Sequence, residues 1–356
     1  MRTYRAAVIG CSRMGGFIDN EVAHVPSVTL PYSHGGGFAA CERTDLVACS
    51  DLRPEIMDKF SDAHGVPPGG QYTDFRKMID EVQPDIVSVA TMQGVRAEIV
   101  IYAADHGVKA IYAEKPMASS MAEAAAMVKA IERNNVIFNM GASRRWHPGY
   151  DKMKELIDSG ELGSLKSVIS LGGGHSHSFD MLLRLNSDAP ALWVQAHATT
   201  DEDVVSGDTL RRFPRHEGFI KFENDVTGYY LDTGRGVEFE AVGDKGIVTA
   251  QRNGAEFRLR MHVTDDDKGG AGFVEAPFPK FDAASPTLRL IEDLVVSLDT
   301  GTPPRGGVRS AYASTEIIFA FIESARRNGQ KVDIPLEESH VKILDPAQHK
   351  TPRYER

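Results

Sequence analysis

The chain has 356 residues, too many for one small core and enough for two domains. Hydrophobic residues make up 42% and charged residues 25%, ordinary values for a soluble globular protein. The net charge of -10, with no clustered block of Lys and Arg, argues against a nucleic-acid partner, and no apolar run has the length of a membrane helix.

A strand is expected over residues 4–9, with nothing like a signal peptide ahead of it. The stretch "AVIGCSRMGG" (6–15) follows the pattern of a strand that runs into a glycine turn. Gly10 stands at the strand end, and Gly15 and Gly16 stand where a helix should begin. Ser12 occupies the place where a second glycine usually lets phosphate approach the backbone. By itself this is also the pattern of a plain strand-to-helix turn. The three cysteines, Cys11, Cys41 and Cys49, have no metal-type spacing, so reduced thiols in a cytoplasmic protein are expected.

Residues 17–33 interrupt the passage from loop to helix, and "SHGGGF" (33–38) restarts it. An ordered loop is expected there, packed over the cofactor cleft or reaching a neighbouring subunit, with Gly35 to Gly37 passing close to something bulky. A second strand (46–50) ends at Asp51. Helical patterns at 53–64, 74–82, 95–106 and 120–134 alternate with strands at 85–91 and 109–113, which argues for a parallel sheet covered on both faces. In that setting the glycine loop reads as a dinucleotide site. Gly10, Ser12, Arg13, Met14 and Gly15 are its candidate contacts, and Asp51 would accept hydrogen bonds from the adenosine ribose. Arg53 is placed to meet a 2′-phosphate, so NAD is favoured and NADP stays open.

After about residue 140 the pattern changes. A helix with a glycine stop at Gly160 leads into β-rich runs, among them "GFIKFEN", "VTGYYLDTG", "VEFEAVG" and "GIVTAQR". A long helix over about 311–329 closes the chain's second part. The expected architecture is α/β. A doubly wound parallel Rossmann sheet occupies residues 1–125, and an α/β domain with an open, mostly antiparallel sheet occupies 126–356.

"YAEKPMA" (112–118) places Lys115 just after a buried strand, at the edge where ligands bind in such sheets. With "SRRWHPGYDKMKELIDSGELG" (143–163), "GGGHSHSFDMLLRL" (172–185) and the later strand pair and helix, the chain resembles the Gfo/Idh/MocA family of oxidoreductases. The resemblance implies Lys115 as a catalytic lysine and His177 as the acid or base at the reacting hydroxyl. It implies substrate contacts from Arg145 and Asp180, and cofactor contacts from Thr91, Gln93 and Glu114; Trp146 reads as partly core or as an aromatic pocket wall that suits a sugar, and His175 as the nearest group able to stand in for an absent carboxylate at the substrate. The family's aspartate four residues before the histidine falls on Gly173 here. The implied activity is NAD(P)-dependent hydride transfer at a secondary hydroxyl of a sugar, glycoside or inositol. An NAD-dependent glycosidase and a non-catalytic NAD sensor are the alternatives. The family also implies a homo-oligomer. His175, His177 and His197 lack the neighbours of a recognised zinc spacing, and no metal is expected.

Overall fold

Short apolar runs build the first sheet. β1 (Tyr4–Ile9), β2 (Thr44–Ser50), β3 (Gln71–Tyr72), β4 (Ile86–Val89), β5 (Ala110–Ala113) and β6 (Ile137–Met140) pair in parallel in the order β3-β2-β1-β4-β5-β6. β4 and β5 are buried at every position, as strands covered on both faces are. Six helices accompany them: α1 (Asp19–Val22), α2 (His34–Ala40), α3 (Pro54–His64), α4 (Phe75–Val82), α5 (Gln93–Asp105) and α6 (Met121–Arg133). Strand order reverses between β1 and β4, and ligands bind beyond the strand ends at such a point. Gly10, Asp51, Thr91 and Glu114 follow β1, β2, β4 and β5, and so share this edge.

The computed structural model describes residues 2–198, 207–265 and 270–344. The chain divides into two compact units. Met1–Trp146 and Ala284–Tyr312 belong to the first, His147–Ala283 and Ala313–Leu344 to the second. The boundary read at residue 125 therefore shifts, because α6 packs on the first sheet and β6 extends it. The end of the expected 126–356 domain, beyond residue 344, lies outside the described residues.

The second unit opens with α7 (Pro148–Asp158), and Gly160 follows it at φ 75° as its glycine stop. Its sheet uses β7 (Leu165–Leu171), β8 (Ala191–Ala198), β10 (His216–Phe222), β11 (Thr227–Leu231), β12 (Glu238–Gly243), β13 (Gly246–Gln251), β14 (Glu256–Asp265), β15 (Gly270–Ala276) and β16 (Val332–Asp333). β9 (Thr209–Leu210) pairs instead with β17 (Lys342–Ile343). In the large sheet β7 and β11 run parallel, and the other pairs are antiparallel. Burial alternates along β12, the mark of a sheet with one covered face. α8 (His175–Leu185) lies against it, with Phe179 touching Tyr230 and Phe321.

Two later helices return to these cores. α9 (Pro286–Thr300) was not expected from the sequence, and it packs Leu290, Ile291 and Leu294 against Tyr4, Phe38 and Tyr112 of the first unit. α10 (Val308–Arg326) starts three residues earlier than the expected 311. Among the described residues no helix is long and apolar enough to cross a membrane.

Candidate active site

The glycine loop is shaped by close approach. Gly10 adopts φ +90°, a conformation that side chains disfavour, and its N–H bonds the Ser50 carbonyl at 2.8 Å. A Cβ on Gly15 would lie 1.8 Å from the Gly10 carbonyl oxygen, so only glycine lets the turn fold back on the strand. Ser12 precedes a single π-helical turn (Arg13–Phe17), and its hydroxyl caps no backbone N–H. Arg13 is drawn aside by Glu21, Nε to Oε2 at 2.7 Å, and Met14 is half-buried. Asp51 braces the loop: its Oδ2 accepts from the Cys11 N–H at 3.0 Å. Its Oδ1 accepts from Arg53, from the backbone N–H at 3.1 Å and from Nε at 3.0 Å. Arg53 is thus folded onto Asp51.

A second cluster forms where β5 ends. Glu114 is buried, and its Oε2 accepts from the Lys115 N–H at 3.2 Å and stands 3.9 Å from Lys115 Nζ. Its Oε1 meets His34 Nε2 at 3.2 Å. Arg96, also buried, donates to the carbonyls of Thr91 and Pro116. Burial works to raise the Glu114 carboxyl, but the His34 hydrogen bond and the charges of Lys115, His34 and Arg96 hold it below the usual carboxylate range. Burial pulls Arg96 down to about 10 against the charge of Glu114. Lys115 keeps about a third of its side chain exposed. Gln93 opens α5 as a buried residue, and the Thr91 hydroxyl is buried without a partner among the described residues.

In the second unit a triple-glycine turn leads β7 into α8. Gly173 has φ +93°, and a Cβ there would stand 3.2 Å from Ser178 Oγ. The Gly172 carbonyl accepts from Ser178 Oγ at 3.1 Å, and the Gly173 carbonyl accepts from Tyr230 at 3.1 Å. The position of the family's aspartate is therefore a strained, tightly bonded turn that suits glycine. His177 lies in the first turn of α8, and Asp180 follows three residues on, on the same helix face.

Residues 4–142 match the family model GFO_IDH_MocA, described as an oxidoreductase family with an NAD-binding Rossmann fold. Over these residues the chain is similar to the Gfo/Idh/MocA oxidoreductase family. It is similar to the dehydrogenase aclE of Aspergillus oryzae, 29% identical over 45% of this chain and 42% of that protein. It is also similar to myo-inositol 2-dehydrogenase of Thermotoga maritima, 28% identical over 76% of this chain and 86% of that protein. The match spans less than half the length of several of these curated relatives. A solved scyllo-inositol dehydrogenase from Lactobacillus casei, with bound NAD(H) and scyllo-inositol, shares the fold at TM-score 0.68. That match is 16% identical and covers 93% of this chain and 99% of the other.

Other residues singled out in the sequence are engaged in packing and pairing. Trp146 is fully buried against Gly306, with Arg289 on its carbonyl, in keeping with its reading as core. Arg145 is buried as well and donates to the Arg305 carbonyl at 3.2 Å, which braces the 305–306 turn. His197 is exposed and pairs with Glu217 at 3.0 Å, apart from the α8 histidines. His175 instead meets His216, with ring centroids 5.6 Å apart. No group of three or more metal-ligating side chains occurs among the described residues. Sequence reasoning missed His34 and Ser88, because no local pattern connects them to Glu114.

Proposed function

We propose that the chain is an NAD-dependent oxidoreductase that moves a hydride between the nicotinamide and a secondary hydroxyl of a cyclic polyol or sugar. The observation that carries this reading is the Glu114–Lys115 pair at the ligand-binding edge of an NAD-binding family fold. The cofactor fits the residues present: Gly10 and Gly15 shape a loop with no room for side chains, and Asp51 stands at the end of β2. NAD, when bound, supplies the hydride acceptor.

The chain's own residues do the rest. Backbone N–H groups of the loop and the uncapping Ser12 hydroxyl hold the pyrophosphate, and Asp51 holds the ribose. Arg53, already paired with Asp51, sets how well a 2′-phosphate is tolerated. Thr91 and Gln93 flank the cofactor. Lys115 stabilises the negative charge that develops on the substrate oxygen. His177 takes the hydroxyl proton as general base, and Asp180 and His175 orient the substrate. Relatives named as inositol dehydrogenases support a cyclic polyol as the substrate class.

Gly173 favours one second reading, a glycosidase that oxidises transiently and restores its cofactor, because the expected carboxylate is absent. Incubation with NAD, then NADP, against inositols, sugars and glycosides separates the two. Net NADH with a ketone product supports the dehydrogenase; aglycone release without net NADH contradicts it. Tyr229 and Phe273 stand partly exposed on strands of the large sheet, which supports a homo-oligomer, and a monomeric mass by light scattering would oppose it. Three free, buried thiols suit a reducing, cytoplasmic setting.

A further inference from the structure

The segment ahead of α2 is pinned so that one histidine enters the first unit's core. Asp19 Oδ1 accepts from the N–H groups of Tyr32 at 2.7 Å and Ser33 at 2.8 Å, and its Oδ2 accepts from Ser33 Oγ at 2.8 Å. Ser285 and Thr287 at the start of α9 donate to the carbonyls of Pro31 at 2.5 Å and Tyr32 at 3.0 Å. A Cβ on Gly35 would lie 2.7 Å from Phe60, and one on Gly37 2.7 Å from Ile291, so α2 runs tight between α3 and α9. His34, its first residue, is fully buried and stacks on Tyr112 with centroids 3.9 Å apart.

Both ring nitrogens of His34 are engaged, Nδ1 with Ser88 Oγ at 2.5 Å and Nε2 with Glu114 Oε1 at 3.2 Å. The carboxylate is boxed in turn, because a Cβ on Gly141 would stand 2.7 Å from the same Oε1. A buried carboxylate oxygen without a donor is costly. The groups facing Glu114 are His34 from α2, Arg96 from α5, Tyr112 from β5 and Lys115 beside it. Arg96 is engaged by two carbonyls, which leaves His34 as the side-chain donor to Oε1.

We propose that His34 is a positioning residue for Lys115: it donates from Nε2 to Glu114 while Ser88 fixes Nδ1, and so keeps Glu114 charged and aimed at Lys115. This rests on the reading of Lys115 as the group that meets substrate. Ser88, His34 and Glu114 are the residue types of a hydrolytic triad, but all three are buried and present no nucleophile.

His34→Leu, His34→Gln and Ser88→Ala test it, with two readouts. The first is the thermal midpoint of the cofactor-free protein against pH. Without its donor, Glu114 takes a proton at higher pH and opposes folding once charged. The midpoint deficit of His34→Leu should therefore be largest near neutral pH and shrink on acidification. The second is the pH profile of kcat/KM, whose acid limb should rise by about one pH unit or more in His34→Leu. His34→Gln, with an amide donor toward Oε1, should restore both; Ser88→Ala should give a smaller change of the same sign. A pH-independent deficit with an unmoved limb marks His34 as mere packing and overturns the proposal. If His34→Leu does not fold, an unchanged Ser88→Ala does the same. The midpoint series needs no substrate, so a wild-type protein without turnover that still shows it refutes the oxidoreductase reading and keeps the Glu114 anchor.

Discussion

Two buried histidine sites differ in what surrounds them. In the first unit His34 has a partner at each ring nitrogen and lies beside a carboxylate and a guanidinium. In the second unit His175 and His216 meet edge to face. Both nitrogens of His216 and Nε2 of His175 lack partners among the described residues. Burial pushes His175 down to about 4 against the pull of Asp232, and pushes His216 down to about 3 with help from His175 and His197. Burial alone selects the neutral ring. Burial with partners turns the ring into a support for charge.

The largest effect is expected where the charges balance. Glu114→Ala removes the buried carboxylate that meets His34 and Lys115, and should cost the first unit about 3–5 kcal/mol in urea unfolding. A loss under about 1 kcal/mol would mean that the cluster does not depend on ion pairing. Acid sensitivity comes next. The two depressed histidines contribute stability that is complete above their ordinary value of 6.5 and is lost as pH falls toward 4 and 3. Each proton withheld from the folded state costs about 1.4 kcal/mol per pH unit in that window. Glu114, held low, contributes above 4.5 and loses its share only below that value. The first unit has one comparable histidine, His64, which burial also lowers. Between pH 6.5 and 4.5 hydrogen exchange should therefore rise more in the second unit than in the first. The reverse order would break the comparison. The smallest effect is expected at Asp51: Asp51→Ala should weaken NAD binding about tenfold, the scale of one hydrogen bond to a charged group, and narrow the preference over NADP. Unchanged affinity for both cofactors in calorimetry would remove Asp51 from the site.

Much of the first unit was legible because its signals are local. The glycine loop, Asp51 and the Glu114–Pro116 turn are each short stretches beside a buried strand, and the four expected strands fell within two residues of expectation, whereas the short β3 and β6 were not expected. α9 carries equally local signals, a Ser285 cap, Pro286 in its first turn and Gly301 at φ 72°, but follows the β-rich runs without a strand beside it to mark its place. What could not be read was long-range. His34 meets Ser88 and Glu114 across 54 and 80 residues, with no periodicity to connect them. Trp146 is core because Gly306 and Arg289 close over it, 160 and 143 residues away in sequence by their neighbouring bonds. Gly35 and Gly37 did pass close to bulky groups, Phe60 and Ile291, as expected.

The central claim is that Lys115 acts on the reacting oxygen and not on the fold or the cofactor. Lys115→Ala, measured for NAD affinity by calorimetry and for turnover on a substrate found by the screen, tests it most directly. Affinity should stay within about twofold while turnover falls by about 10²–10⁴-fold, the scale of a lost catalytic group. Near-full turnover in this variant would contradict the account.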